Sequence, residues 1–180
     1  MKPSIEMLRR LFICDAVTGR LVWKARTPDM FDGPRSLWRC LKWNGRYAGK
    51  DAGHCLPKGY RCVRIFNRSY LEHHVIWAVV HGEWPIALDH RFGVERGNGI
   101  SNLRRATQAQ NMQNTKKRRD NKSGFKGVSW DSVNEKWVVR IRMLGGGKYQ
   151  NIGRFDDPSV AHDAYCRRAV ELYGEFARFE

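Results

Sequence analysis

Pro85-Ile86-Ala87-Leu88-Asp89-His90, a glycine-punctuated loop from Gly93 to Gly99, Ile100-Ser101-Asn102-Leu103-Arg104, and then Thr107-Gln108-Ala109-Gln110 form the stretch on which the fold of this chain turns. Pro85 closes the segment before it and favours an extended start, so the two apolar-edged runs on either side of the loop are expected to form a hairpin. Thr107 with Gln110 three residues on is a capping box, which predicts a helix beginning at Thr107 and carrying Asn111 and Asn114 on one face. The expected local architecture is a hairpin followed by a helix.

Four polar residues in this stretch suit one kind of chemistry. Hydrolysing a phosphodiester requires a base that takes a proton from water and a cation that stabilises charge on the phosphate and the leaving oxygen. Histidine as a side chain titrates near neutrality, and His90 therefore suits the role of base. Asp89 and Asn111 offer a carboxylate and an amide oxygen, hard donors that suit Mg²⁺ and leave its other positions to water and phosphate. Adjacent strand residues point to opposite faces, so Asp89 and His90 are expected to be aimed differently, and a packed helix would bring Asn111 back beside Asp89. Taken singly, an Asp-His pair is more often a surface hydrogen-bonded pair, and Asn102 and Asn111 would be turn and helix-surface residues. Four in register favour the catalytic reading.

Upstream, Leu71, His74, Val75, Ala78 and Val79 recur at helical spacing between Tyr70 and Gly82. His73 and His74 lie among large apolar neighbours there and read as satisfied core or interface histidines rather than ligands. His54, His81 and His162 carry no assigned role. Residues 1–68 open with an amphipathic helix lined by Ile5, Leu8, Leu11 and Phe12, followed by a turn from Asp15 to Gly19 and a strand from Leu21 to Ala25. The segment Asp32 to Gly59 reads as turns and loops between short strands, and Tyr60 to Phe66 alternates like a half-buried strand.

Downstream, the basic run Lys116-Lys117-Arg118-Arg119-Asp120-Asn121-Lys122 reads as a linker over residues 116–122 that can also lie along a phosphate backbone. Three strands follow, Gly127 to Trp130, Lys136 to Met143 and Tyr149 to Phe155, with a turn at Gly145-Gly146-Gly147. Asp157-Pro158 supplies an N-cap and a favoured first helical residue, and Gly174 a stop. The expected module is a three-stranded antiparallel sheet packed on one helix. Ala161, Ala164, Tyr165, Ala169 and Leu172 form that helix's inner face. Alternation puts Trp137, Val139 and Ile141 toward the helix and Val138, Arg140 and Arg142 on the free face, where a groove reader has use for arginines and a solvated sheet does not.

Composition agrees with a nucleic-acid partner. The 180 residues carry 33 Lys and Arg against 18 Asp and Glu, a formal charge of +15, and each cation set on a phosphate releases condensed counterion. A hydrophobic fraction of 42% with 12% aromatic excludes wholesale disorder. The longest apolar run, Val75 to Val80, is too short to span a bilayer, and the first residues have no signal-peptide core. A soluble cytoplasmic protein with no membrane partner and no small-molecule substrate is expected. Five cysteines, at 14, 40, 55, 62 and 166, include no Cys-x-x-Cys pair, so neither a zinc site nor a disulfide framework is expected.

His73 to Asn114 resembles the HNH homing endonucleases common in phages, in the form with Asn in place of the final His. The matching runs are His73 to Trp77, Gly82-Glu83-Trp84-Pro85, Asp89-His90, Asn98 to Arg104, Ala106-Thr107 and Asn111. The resemblance implies a ββα-metal fold over residues 69–115, cutting or nicking of double-stranded DNA with one divalent ion (Mg²⁺, with Mn²⁺ as the alternative), and action in a bacterial host cytoplasm. It makes His90 the general base, Asp89 and Asn111 the metal ligands, and Asn102 the residue that holds the hairpin and the His90 orientation. Where the family commonly reads Ile-Asn-Gly-Asp after Asp-His, this chain has Arg91-Phe92-Gly93-Val94-Glu95-Arg96. Residues 123–180 resemble the plant ethylene-response-factor (Apetala-two) DNA-binding domain. By that resemblance Lys126, Ser129, Trp130, Arg140, Arg142, Tyr149 and Asn151 fall where the family touches DNA in the major groove. Plant members often carry Arg and Trp where this chain has Ser129, Tyr149 and Asn151. The combined expectation is an α+β endonuclease, with a non-catalytic DNA-binding regulator as the alternative.

Overall fold

Ser4 starts the first helix by accepting a hydrogen bond from the Met7 N–H at 3.1 Å, and α1 (Ile5–Leu11) buries Leu8 and Leu11 as its spacing predicts. The computed structural model describes residues 2–144 and 147–180, and these form an α+β protein that divides into two compact units at Arg105/Ala106.

In the first unit β1 (Phe12–Asp15) pairs antiparallel with β2 (Arg20–Trp23) across a turn in which the Asp15 carboxylate accepts from the Val17 and Thr18 N–H groups. The loops expected between Asp32 and Gly59 are replaced in part by a helix, α2 (Ser36–Tyr47). It has no side-chain N-cap, and Leu37, Trp38 and Leu41 face solvent, so neither start signal nor inward apolar stripe announces it. The inward-facing Cys40, Trp43 and Asn44 at helical spacing were the available clue: the Asn44 side chain bonds both the N–H and the carbonyl of Arg26.

A second sheet follows in the order β3 (His54–Cys55), β4 (Arg61–Ile65), β5 (Arg68–Leu71). The strand β5 corrects the expectation of a helix from Tyr70. Phe66 and Asn67 adopt positive φ and turn the chain back, so Tyr70 and Leu71 pair with Val63 and Cys62 before the helix begins. The helix α3 (Glu72–His81) ends at Gly82 in the left-handed conformation. Then come β6 (Leu88–His90) and β7 (Leu103–Arg105), an antiparallel pair with Asp89 opposite Arg104 and His90 opposite Leu103. Ile100–Asn102, expected as strand, is a 3₁₀ turn leading into β7. Leu8, Leu11, Phe12, Leu21, Val63, Ile65, Val75 and Ile76 form the main core, and Trp77, Leu88 and Leu103 a smaller one beneath the β6–β7 hairpin.

The second unit opens with α4 (Gln108–Gln113), where the predicted capping box is complete: Thr107 Oγ1 accepts from the Gln110 N–H, and Gln110 Oε1 from the Thr107 N–H. The basic run lies inside this unit and not between the two, with the Lys117 N–H donating to the Glu180 carbonyl at 2.8 Å. The sheet has the order β10 (Tyr149–Phe155), β9 (Lys136–Arg142), β8 (Val128–Asp131), all antiparallel, and α5 (Pro158–Tyr173) packs across it behind an Asp157 cap. Val139, Ile141, Ala161, Tyr165 and Ala169 fill the core as expected. Two residues of the glycine turn, Gly145 and Gly146, lie outside the described residues. No described helix is long and apolar enough to cross a membrane.

Candidate functional site

The β6 strand is buried along its whole length, which is unusual for a segment carrying Asp and His, and each of the two has its own partner. The Asp89 carboxylate, 8% exposed, accepts from Arg104 Nε at 2.9 Å and Nη2 at 2.8 Å, both at Oδ2. The strand register sets these two residues directly opposite, so the pair follows from the hairpin itself. His90, 6% exposed, is aimed elsewhere: its Nε2 lies 3.0 Å from Asn98 Oδ1, and its ring meets His73 and Tyr60 edge-on at centroid distances of 4.7 and 5.9 Å.

Asn102 holds the connecting loop. Its Nδ2 donates to the Gly93 and Gly97 carbonyls at 3.0 and 2.8 Å, and its Oδ1 accepts from the Phe92 N–H at 2.9 Å. These bonds tie Phe92 and Gly93 to Gly97, so the atypical segment Arg91 to Arg96 is closed in spite of its sequence. The amide that meets His90 Nε2 is that of Asn98. Asn111 lies partly buried on α4, in the second unit, and Asp89 and His90 lie in the first.

Residues that pattern reasoning passed over surround His90. Glu72, at the first position of α3, is fully buried; its Oε2 accepts from Asn98 Nδ2 at 3.3 Å and from Arg61 Nε. Burial pushes the Glu72 carboxyl above its usual range, and Arg61 beside it pulls back against that shift. Arg61 also donates to Asp51 at 2.7 Å and to the Gly53 carbonyl at 3.1 Å. Two glycines permit this packing: a Cβ on Gly53 would lie 2.6 Å from Glu72 Oε1, and one on Gly19 would lie 2.1 Å from the Asn98 carbonyl carbon. Glu72 directly follows Leu71 and interrupts an apolar helix start. A carboxylate on the inward face was the one signal for it in the sequence.

His73 is a core histidine, as expected, but not a satisfied one: Nδ1 has no hydrogen-bond partner among the described residues. Burial, with the neighbouring His90 and His74 adding to it, lowers its pKa to about 3. The folded pKa thus lies below the unfolded value near 6.5, and the unfolded chain binds more protons between the two. Stability is therefore expected to fall as pH drops from about 6.5 toward 3, by at most about 1.4 kcal/mol per pH unit from this group. Urea titrations at stepped pH should show this slope flattening in His73→Phe; an unchanged slope would assign the acid sensitivity elsewhere.

In the second unit the register sorts the expected DNA contacts. Arg140 pairs with Asn151, Arg142 with Tyr149, and Val138 with Ser129, so Ser129, Arg140, Arg142, Tyr149 and Asn151 share the face away from α5, all exposed. Val138, expected solvated on that face, is 2% exposed and lies between Ser129 and Arg154. Trp130 is opposite Trp137 on the helix side, edge-on at 4.9 Å, and packs at the sheet edge. Lys126 is also turned inward: its ammonium donates to the Gln113 and Thr115 carbonyls at 3.0 and 2.6 Å, tying off the end of α4, and burial lowers its pKa to about 8. Lys116, Lys117, Arg118, Arg140, Arg142 and Tyr149 line one cleft of about 610 Å³. Arg118 is paired there with Asp120 at 3.0 Å, and Arg119 is exposed.

The chain is 34% identical over 121 residues to "Protein 3.8" of Escherichia phage T7, a match covering 66% of this chain and 98% of the relative. No family model and no solved structure matches it.

Proposed function

We propose that this chain, which belongs to the family of Escherichia phage T7 Protein 3.8, is a metal-dependent endonuclease of the HNH kind that hydrolyses phosphodiester bonds in duplex DNA. The observation that carries this reading is His90, buried on a hairpin next to Asp89, with an amide partner 3.0 Å from its Nε2 and its loop closed by three Asn102 hydrogen bonds. A general base needs one orientation, and these contacts supply it.

Asp89 is the residue of the first unit that would hold the cation. Its carboxylate is the hard donor that Mg²⁺ or Mn²⁺ takes, and Arg104 fixes it through one oxygen. When bound, the ion would supply charge stabilisation for the phosphate and the leaving oxygen. His90 takes the proton from the attacking water, and the products carry 5′-phosphate and 3′-hydroxyl ends. The second unit, an ethylene-response-factor-like sheet on this reading, lays the Arg140, Arg142, Tyr149 and Asn151 face on the duplex. The Lys116 to Arg119 run follows the adjacent phosphates.

Supercoiled plasmid incubated with Mg²⁺ should be nicked or linearised, and chelator should prevent it. Binding without any cleavage, with either metal, would favour the rival reading of a non-catalytic DNA-binding regulator. Arg140→Ala should weaken binding by roughly 1–3 kcal/mol and relax preference at one base step, measured by competition against a randomised-site duplex library. Uniform weakening across all sites would make Arg140 a phosphate contact instead.

A further inference from the structure

Beside the imidazole proposed as the base lies a carboxylate that no step of the proposed reaction uses, joined to it through a single amide. Asn98 contacts Glu72 Oε2 with one end of its side chain at 3.3 Å and His90 Nε2 with the other at 3.0 Å. Which end is oxygen and which is nitrogen is a chemical question, and the Glu72 end answers it. Oε2 already accepts the Arg61 Nε–H, so it is an acceptor toward Asn98 as well, whichever protonation state the carboxyl has, because a proton on Glu72 would sit on Oε1. The Asn98 NH₂ group must therefore face Glu72, and its carbonyl oxygen must face His90. A carbonyl oxygen only accepts, so the imidazole nitrogen opposite it must carry the hydrogen.

We infer that Glu72 and Asn98 are positioning residues for His90, holding its neutral imidazole as the Nε2–H tautomer and so making Nδ1 the basic nitrogen. This rests on the nuclease reading for its use, but not for its structure. The arrangement is closely packed: Gly53 lets the Glu72 carboxylate sit against the backbone, and Gly19 packs on the backbone carbonyl of Asn98. Asn98 is 5% exposed and Glu72 fully buried, so water does not compete for either contact. An amide held at both ends has one low-energy orientation here, because the alternative sets its oxygen against a carboxylate oxygen.

Long-range proton–nitrogen correlation spectra of the full-length ¹⁵N-labelled protein, free of metal and DNA, read imidazole tautomers directly. The His90 resonances are assigned by comparison with His90→Gln. In the unmodified protein His90 should be in the Nε2–H form; a predominant Nδ1–H form overturns the inference without any variant having to fold. Glu72→Gln should keep the tautomer, because its amide oxygen can still accept from both Arg61 and Asn98, whereas Glu72→Met and Asn98→Leu should each release a mixture of the two forms. In a plasmid-nicking assay that mixture should lower kcat by about tenfold with KM unchanged, the worth of one orienting hydrogen bond. A KM effect alone, or a pure Nε2–H signal in Asn98→Leu, overturns it. If the unmodified protein shows the Nε2–H form yet cuts no DNA, the nuclease reading fails while the Glu72–Asn98 assignment stands.

Discussion

Plasmid DNA incubated with the His90→Ala variant and Mg²⁺ should stay supercoiled, with nicking slowed by roughly 10²–10⁴-fold, the contribution of a positioned general base. Binding to the same duplex should be almost unchanged, because the exposed arginine face proposed to bind it lies in the second unit, away from residue 90 in the chain. A buried histidine cannot be removed without some structural cost, since alanine leaves a void beside His73 and Tyr60. His90→Gln controls for this. Its side-chain NH₂ can occupy the place of Nε2 and donate to Asn98, yet it cannot take a proton from water. Both variants should be inactive while His90→Gln keeps the thermal stability of the parent. Nicking at the parental rate by His90→Gln would remove His90 from the mechanism.

Replacing Asp89 should have the second large effect, on stability as well as activity. Arg104 is 7% exposed and donates twice to the Asp89 carboxylate, so Asp89→Ala removes a carboxylate to which a buried guanidinium donates. Breaking a buried pair from one side costs about 3–5 kcal/mol, far more than the pair contributes over an apolar replacement of both members. Urea denaturation of Asp89→Ala should show a loss of that size. Asp89→Leu combined with Arg104→Leu should recover most of the loss, while nicking remains absent because the cation has lost a ligand. The ion pair of Asp89 and its proposed role as a metal ligand are thereby separated: stability returns and activity does not. A double variant that is no more stable than Asp89→Ala would mean that the ion pair is not what the hairpin depends on.

Much of the architecture was legible locally, because the signals involved act over a few residues. The Thr107–Gln110 capping box, the Asp157-Pro158 start, the Gly82 and Gly174 stops and the alternation along β9 each report a backbone hydrogen-bonding demand that neighbouring side chains meet. The helix α2 was not legible, since its outward face mixes Leu37, Trp38 and Leu41 with charged residues and so blurs the apolar stripe. Nor was β5, whose pairing depends on a Phe66–Asn67 turn in a conformation that phenylalanine seldom adopts.

The candidate site divides along the same line. Sequence alone singled out Asp89, His90, Asn102 and Asn111, from residue chemistry and from their order along a hairpin and a helix start. It also placed Arg140 and Arg142 on one sheet face, because period two is a property of any strand. What surrounds these groups came only from the fold. Arg104 against Asp89, Asn98 against His90, and Glu72 behind Asn98 are contacts across 15, 8 and 26 positions, and no periodicity encodes them. The inward turn of Lys126 and the edge position of Trp130 likewise follow from what lies next to each in space. Local hydrogen-bonding and hydrophobic period determine which elements form; the partners of a buried polar group are decided by packing, because only packing removes the water that would otherwise satisfy it.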